Sequence, residues 1–291
     1  MTCGTETPCR PLFALERTIL RCERCGLVFA DPEGAPAHDY SESYYRGGVY
    51  ADYLMERGAI RRNAQRSLAA LESLVPGRRL LDVGCAAGFF LEAARDRGWS
   101  VRGLDVSAYA AAFARDRLGL PVLLGSIVVP PQGLEDFDVV TLWDAIEHLD
   151  RPDLALLRIR ERLREGGVLA LSTGDYGSLL RRITGRRWRL FRDPTHNFFF
   201  DRETLRRLLE RGGFEVLSVS RRGKWVSLAM SLHQSRLPRA DRLRDLLVAR
   251  GLDLGLYVNL RDVMTVVARP RVGWPAPGPG SPAGSPAASP V

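Results

Sequence analysis

Two short strings in this chain place acids beside small residues or histidine, the residue types needed to hold a polar ligand and to move a proton. The first is Leu80-Leu81-Asp82-Val83-Gly84-Cys85-Ala86-Ala87-Gly88-Phe89-Phe90. An apolar run ends in an acid, passes through Gly, Cys and Ala, and turns apolar again, which reads as a buried strand, a tight turn and the opening of a helix. Small side chains let the backbone come close to a ligand, and the helix start offers N–H groups that have no partner within the helix. A phosphate-binding loop has the same outline but needs a Lys followed by Ser or Thr, which is missing here, and Asp82 stands where pyrophosphate would be repelled. Twenty-three residues after Asp82 a second apolar run ends in Asp105, within Gly103-Leu104-Asp105-Val106-Ser107. An acid at that strand tip is placed to accept from both hydroxyls of a ribose.

The second string, Trp143-Asp144-Ala145-Ile146-Glu147-His148-Leu149, follows the apolar run Phe137–Leu142. If its turn is helical, Asp144, Glu147 and His148 share one face at i, i+3 and i+4. His148 is the natural base, because an unperturbed imidazole titrates near neutrality, and Glu147 can orient or assist it. The plainer alternative is that Glu147 and His148 only fasten the turn. Farther on, Arg181, Arg182, Arg186, Arg187, Trp188, Arg189, Phe191 and Arg192 lead into Asp193-Pro194-Thr195-His196-Asn197. Long loops at the carboxyl edge of a sheet commonly carry function, so His196 is a further candidate, and the Arg and aromatic residues suit an anionic or aromatic acceptor.

These strings need a frame, and the surrounding pattern supplies one. Strand-like runs at 80–83, 101–104, 122–124, 137–142, 168–172, 215–219 and 264–268 alternate with helical periodicity over 89–97, 108–118, 154–163 and 203–211. Residues 53–74 form a leading helix, and 227–250 are helical material between the last two strands. The expected fold is therefore α/β, a Rossmann-like seven-stranded, mostly parallel sheet with helices on both faces, whose strand ends line the ligand crevice.

Together these strings resemble the class I S-adenosylmethionine (SAM) dependent methyltransferases, whose first motif is an acid followed by G-x-G-x-G and whose second is the ribose acid. The Asp-x-x-Glu-His string and the Trp-then-Pro-x-His loop resemble a subgroup that includes the ubiquinone-biosynthesis O-methyltransferases and the sugar C-methyltransferases. The resemblance implies that Asp82, Gly84, Cys85, Ala86 and Gly88 face the methionine and ribose of SAM, that Asp105 takes the ribose and Val106 the adenine edge, and that Trp143 and Asp144 border the cofactor. Ala86 departs from the pattern by replacing the middle glycine. In some relatives the carboxylates and His of the second string hold a divalent metal. A nicotinamide-binding Rossmann domain, or an α/β domain with no ligand, uses the same elements.

Four of five cysteines, Cys3, Cys9, Cys22 and Cys25, lie in the first 25 residues. Cys22-Glu23-Arg24-Cys25-Gly26 is a two-thiolate turn of the kind used for structural zinc. Its partners Cys3 and Cys9 are irregularly spaced, so either the true start lies upstream or Cys9 supplies the fourth thiolate. The expected organisation is a zinc-ribbon-like module at 1–38, a SAM-dependent methyltransferase domain at 39–270, and a Pro, Gly, Ser and Ala tail at 271–291 too poor in apolar residues to order itself. Tyr40, Tyr44, Tyr45, Tyr50 and Tyr53 precede the domain and suit a cover over the cofactor.

The net charge of +8 favours polyanionic partners. Every basic residue but Lys224 is arginine, which also fits a compositional bias. The chain has no apolar run long enough to span a bilayer, so a cytoplasmic location and no membrane partner are expected. The leading expectation is methylation of a small-molecule acceptor by SAM, with His148 and Glu147 as base. An RNA methyltransferase and a non-catalytic SAM-binding or zinc scaffold are the alternatives.

Overall fold

The computed structural model describes residues 7–33, 53–234 and 254–274, with Leu246 and Arg250 between the last two stretches. Cys3, Tyr40, Tyr44, Tyr45, Tyr50 and the tail beyond Trp274 lie outside the described residues. The amino-terminal segment folds as β1 (Cys9–Ala14), β2 (Thr18–Cys22) and β3 (Val28–Ala30). After a single 3-10 turn at Tyr53–Glu56 comes α1 (Arg57–Glu72), and then the alternation begins. It runs through β4 (Arg79–Val83), α2 (Phe89–Asp96), β5 (Ser100–Asp105), α3 (Ala108–Leu118), β6 (Val122–Leu124), β7 (Phe137–Trp143), α4 (Pro152–Glu161) and β8 (Leu163–Gly174). A loop containing the short helix α5 (Leu179–Thr184) and the two-residue strand β9 (Phe198–Phe199) leads to α6 (Arg202–Arg211) and β10 (Phe214–Ser220). The chain then forms β11 (Lys224–Ser227), α7 (Leu228–Gln234), β12 (Gly255–Val258) and β13 (Val263–Pro270).

The main sheet has the order β10-β13-β8-β7-β4-β5-β6. β4 to β8 pair in parallel, and β13 lies antiparallel between β8 and β10. The seven-stranded, mostly parallel expectation therefore holds. Its central strands are apolar almost throughout because helices cover both faces: Leu80, Leu81, Val139, Val140, Leu169 and Leu171 are fully buried. Helix ends follow from local chemistry. Ser107 caps α3 by accepting from the Ala110 N–H at 3.2 Å, and Gly119 ends that helix in the left-handed region at φ 61°. Asp201 and Thr204 form a reciprocal capping box at the start of α6.

Two regions differ from the sequence reading. The expected helical stretch at 227–250 has its helix at α7 (Leu228–Gln234), but the flanking strands β11 and β12, which were not expected, pair antiparallel against α1. Their Trp225 and Tyr257 rings pack together, and the Arg62 and Arg66 guanidiniums sit 5.6 and 5.4 Å from them. The amino-terminal strands also continue into β9, giving a second sheet ordered β1-β2-β3-β9. Ile19, Val28, Trp188, Phe191 and Phe199 share one buried cluster. The cysteine-bearing segment is thus packed on the loop after β8. Among the described residues no helix is long and apolar enough to cross a membrane.

Candidate active site

Asp82, the last residue but one of β4, lies opposite Gly103 of β5 on one side and Thr141 of β7 on the other. It is 2% exposed, and its Oδ1 accepts from the Thr141 hydroxyl at 2.6 Å. Burial, together with the negative charge of Asp105, pushes its carboxyl up to about 7, a rise that the Thr141 bond moderates. The turn that follows needs left-handed backbone three times. Gly84 and Gly88 have φ 71° and 81°, and Ala86 has φ 48°. The glycine normally found at the Ala86 position thus relieves backbone strain as well as leaving room for a ligand, and alanine here carries about 1–2 kcal/mol of that strain. The Ala86 N–H donates to Asp105 Oδ2 at 2.7 Å, and the Ser107 N–H to Asp105 Oδ1 at 2.8 Å. Asp105 is therefore clamped at the tip of β5, with burial holding its carboxyl above the ordinary range.

Cys85 is buried beneath this turn, while Val106 is half exposed beyond Asp105. Trp143 packs its ring on Phe90 at 5.3 Å, and its Nε1 is buried without a hydrogen-bond partner among the described residues. Asp82, Gly84, Cys85, Ala86, Asp105, Val106 and Trp143 line one cleft of about 2610 Å³, bounded by the ends of β4, β5, β7 and β8. Ordinary small-molecule pockets run to roughly 300–1,000 Å³, so this cleft has room for a nucleoside cofactor and a second molecule.

The second string does not form one helical face. Asp144 has φ 49° and breaks away from the 3-10 turn Ile146–His148. Its carboxylate accepts from the Ser172 hydroxyl at 2.7 Å and faces Lys224 Nζ at 3.4 Å. The cleft walls oppose its charge, yet Lys224 and Ser172 hold its carboxyl below the usual range. The trio that does gather is Glu147, His148 and His196, each offering one ligand atom within 4.8 Å of the others. The correction has a simple cause: the left-handed kink at Asp144 turns its side chain toward β8 and β11.

Glu147 is 4% exposed, and its Oε2 is buried without a partner among the described residues. Burial, reinforced by the charge of Asp144, pushes its carboxyl up to about 8. Burial and the neighbouring His196 bring His148 down to about 4. At neutral pH the pair is therefore a carboxylic acid beside a neutral imidazole. The two imidazole rings lie 4.7 Å apart, edge to face. His148 Nδ1 contacts Thr195 Oγ1 at 3.0 Å, and His196 Nδ1 contacts the Leu190 carbonyl at 2.8 Å.

The loop that carries His196 is tied down from both sides. The Asn197 N–H donates to the Glu147 carbonyl at 2.8 Å, and Asn197 Nδ2 donates to the His148 carbonyl at 3.0 Å. From the other side Arg17, 8% exposed, donates to Asn197 Oδ1 at 3.0 Å and to the Asp31 and Pro194 carbonyls. Trp188 Nε1 and Arg189 both donate to the buried Asp262. Sequence reading passes over Asp193, Thr195, Asn197 and Arg17 as site residues. An available signal is Asp-x-Thr, whose acid accepts the backbone N–H two residues on, here at 2.9 Å.

Cys9, Cys22 and Cys25 stand apart from this cleft. Cys9 faces Cys22 across the β1–β2 pair. The Cys25 N–H points at Cys22 Sγ at 3.5 Å, and Gly26 has φ 76°. Burial and the two neighbouring thiols raise the Cys9 thiol.

A doubly wound sheet with an antiparallel last-but-one strand, an acid and glycine turn after its first central strand and a clamped acid at the tip of the next defines a class I SAM-dependent methyltransferase. A methyltransferase-domain family matches residues 55–219, and the chain belongs to that family. It is similar to the ubiquinone biosynthesis O-methyltransferase of Azoarcus sp., with 30% identity over 156 residues, 50% of this chain and 67% of that protein. The malonyl-[acyl-carrier protein] O-methyltransferase of Enterobacter lignolyticus is 33% identical over 207 residues, 64% of this chain and 80% of that protein. In fold, the chain is similar to a SAM-dependent methyltransferase from Archaeoglobus fulgidus, with TM-score 0.51 and 20% identity over 74% of this chain and 98% of that one.

Proposed function

We propose that this methyltransferase moves the methyl group of SAM to an oxygen of a small-molecule acceptor, with His148 taking the proton. The observation that carries the reading is a neutral imidazole on the wall of the same cleft that holds Asp82 and Asp105. The names of both curated relatives specify O-methylation.

The residues present fit SAM. Asp105 keeps lone pairs for the ribose after accepting two backbone N–H bonds, and Trp143 Nε1 offers an unused donor. Asp82 is placed for the methionine amino group, whose positive charge would draw off the Asp82 proton. Bound SAM supplies a methyl group activated by sulfonium, which an acceptor oxygen takes by in-line displacement while the C–S electron pair stays on sulfur. The acceptor O–H proton passes to Nε2 of His148, leaving an imidazolium. An imidazole near 4 is a weak base, but the acceptor oxygen becomes strongly acidic as its new bond to carbon forms, so a late transfer suffices. Glu147, uncharged at pH 7, serves as a hydrogen-bond donor beside it, and His196 completes the wall.

The acceptor side of the cleft suits an anionic or aromatic molecule. Arg192, Arg222 and Arg261 line the cleft with no side-chain ion pair among the described residues, and supply positive charge for such an acceptor. The gathered ligand atoms of Glu147, His148 and His196 also suit a divalent cation. In the amino-terminal segment we assign Cys9, Cys22 and Cys25 to structural zinc, with Cys3 as the fourth thiolate. The Cys22–Cys25 turn, its N–H to sulfur contact and the facing Cys9 support this. A cytoplasmic location rests on composition alone.

The test is single-turnover methyl transfer by His148→Ala and His148→Gln with saturating SAM. The reading expects a fall of about 10²–10⁴-fold in rate with SAM affinity unchanged. Unchanged turnover on the true acceptor would remove His148 from the chemistry.

A further inference from the structure

We propose that Asp193 and Thr195 are positioning residues that lock His148, a residue of the cleft wall, in the Nδ1–H tautomer, so that Nε2 is the nitrogen that keeps a lone pair. The inference rests on the reading of His148 as the base, but its geometry stands independently of that reading.

A hydroxyl has one proton and can donate once. Thr195 Oγ1 lies 2.5 Å from Asp193 Oδ1, and an ionised carboxylate only accepts, so the Thr195 proton is committed to Asp193. The backbone N–H of Thr195 donates to the same Oδ1 at 2.9 Å, which fixes the hydroxyl and the carboxylate in one tight turn. The other contact of Thr195 Oγ1 is His148 Nδ1 at 3.0 Å. With its proton already given away, Oγ1 can only accept there, so Nδ1 must carry the hydrogen. A neutral imidazole has one N–H, which leaves Nε2 bare. Asp193 Oδ1 already accepts the Thr195 backbone N–H, so it acts as an acceptor in this turn.

The same logic fixes the neighbour. A carbonyl cannot donate, so His196 Nδ1 carries the hydrogen that bonds to Leu190 O at 2.8 Å. Its Nε2 faces Asp193 Oδ2 at 3.7 Å, too far for a hydrogen bond but near enough to feel the charge. Asp193 thus serves both rings, His148 through one intervening hydroxyl and His196 through space. When His148 Nε2 takes the acceptor proton, the imidazolium gains the Asp193 charge two bonds of the chain away, and nothing in the wall has to rearrange. The loop can hold this geometry because Asn197 and Arg17 pin it to the His148 carbonyl and to the amino-terminal sheet.

The direct test is the nitrogen spectrum of ¹⁵N-histidine-labelled full-length protein, in which only four histidines contribute signals. The wild type is expected to show His148 with a protonated Nδ1 and a bare Nε2. Thr195→Val, close to isosteric but unable to accept, is expected to lose that preference, and Thr195→Ser to keep it. In parallel, Thr195→Val should lower kcat about 10- to 100-fold with KM for SAM unchanged, and Thr195→Ser should restore it. Asp193→Asn, which keeps an acceptor but loses the charge, should lower kcat while leaving the tautomer, and it stands in if Thr195→Val does not fold. A wild-type His148 protonated on Nε2, or a Thr195→Val protein with the wild-type tautomer and kcat within about twofold, overturns the lock. If the tautomer shifts as described while His148→Ala turns over normally, the lock stands and the base reading fails.

Discussion

Replacing Asp82 by Asn separates what this residue does for the fold from what it does for the ligand. A carboxyl whose ordinary value of 3.8 is pushed to about 7 holds its proton in the folded chain under conditions where the unfolded chain has lost it. Folding is therefore unpenalised below pH 3.8, and stability falls as pH rises toward 7. At one pKa unit per 1.36 kcal/mol the full penalty, present above pH 7, is about 4 kcal/mol. Asparagine stays neutral, and its Oδ1 can still accept from Thr141 at the position Asp82 Oδ1 holds, 2.6 Å away. Asp82→Asn is thus expected to stabilise the ligand-free protein by about 4 kcal/mol at pH 8 and by almost nothing at pH 4. At roughly 2–4 °C per kcal/mol for a domain of this size, the melting temperature at pH 8 should rise by about 8–16 °C. The same variant should bind SAM about 10- to 150-fold more weakly, since it lacks a charge-assisted bond worth about 1.5–3 kcal/mol. Scanning calorimetry at the two pH values and titration calorimetry with SAM measure both effects. A variant that is less stable than wild type at pH 8, or one that binds SAM equally well, would refute the reasoning.

Four other substitutions or measurements follow, three from the site and one from the amino-terminal cysteines. Ala86→Gly should stabilise by about 0–1.5 kcal/mol, because relief at φ 48° exceeds or matches the freedom added to the unfolded chain. Gly88→Ala should cost about 2–4 kcal/mol, since φ is 81° and the added carbon would lie 2.7 Å from Leu120 Cδ1; equal melting temperatures for this pair would contradict the turn geometry. Because Glu147 is protonated up to about pH 8, Glu147→Gln should keep kcat within about threefold at pH 7; a hundredfold loss there would show that the carboxylate works ionised, as a metal ligand does. Freshly purified protein should contain close to one equivalent of zinc that Cys22→Ser removes, and less than about half an equivalent in the wild type would sink the zinc assignment.

The parallel core and the left-handed turn after Asp82 are legible in the sequence because each rests on local pattern: buried strands ending in an acid, then small residues, then a helix start. The face shared by Asp144, Glu147 and His148 was not, since it assumed a helix where the backbone takes a left-handed step at Asp144. The pairing of β11 with β12 has no counterpart in the sequence reading, because Lys224–Ser227 and Gly255–Val258 are short, show no clean alternation, and are held by Trp225, Tyr257 and arginines of the distant α1. The pairing of β3 with β9 joins residues about 170 positions apart through two residues of strand, too little for any periodicity to reveal. The partners of His148 stood in plain view in the string Asp193 to His196, but which hydroxyl meets which ring nitrogen depends on tertiary packing.

The most direct test of the central claim is transfer of the labelled methyl group from SAM into an extract of the source organism, followed by separation into small-molecule, RNA and protein fractions. The account predicts label on an acceptor in the small-molecule fraction, joined through oxygen, and its loss with Asp105→Ala. No transfer into any fraction, or label confined to RNA, would contradict it.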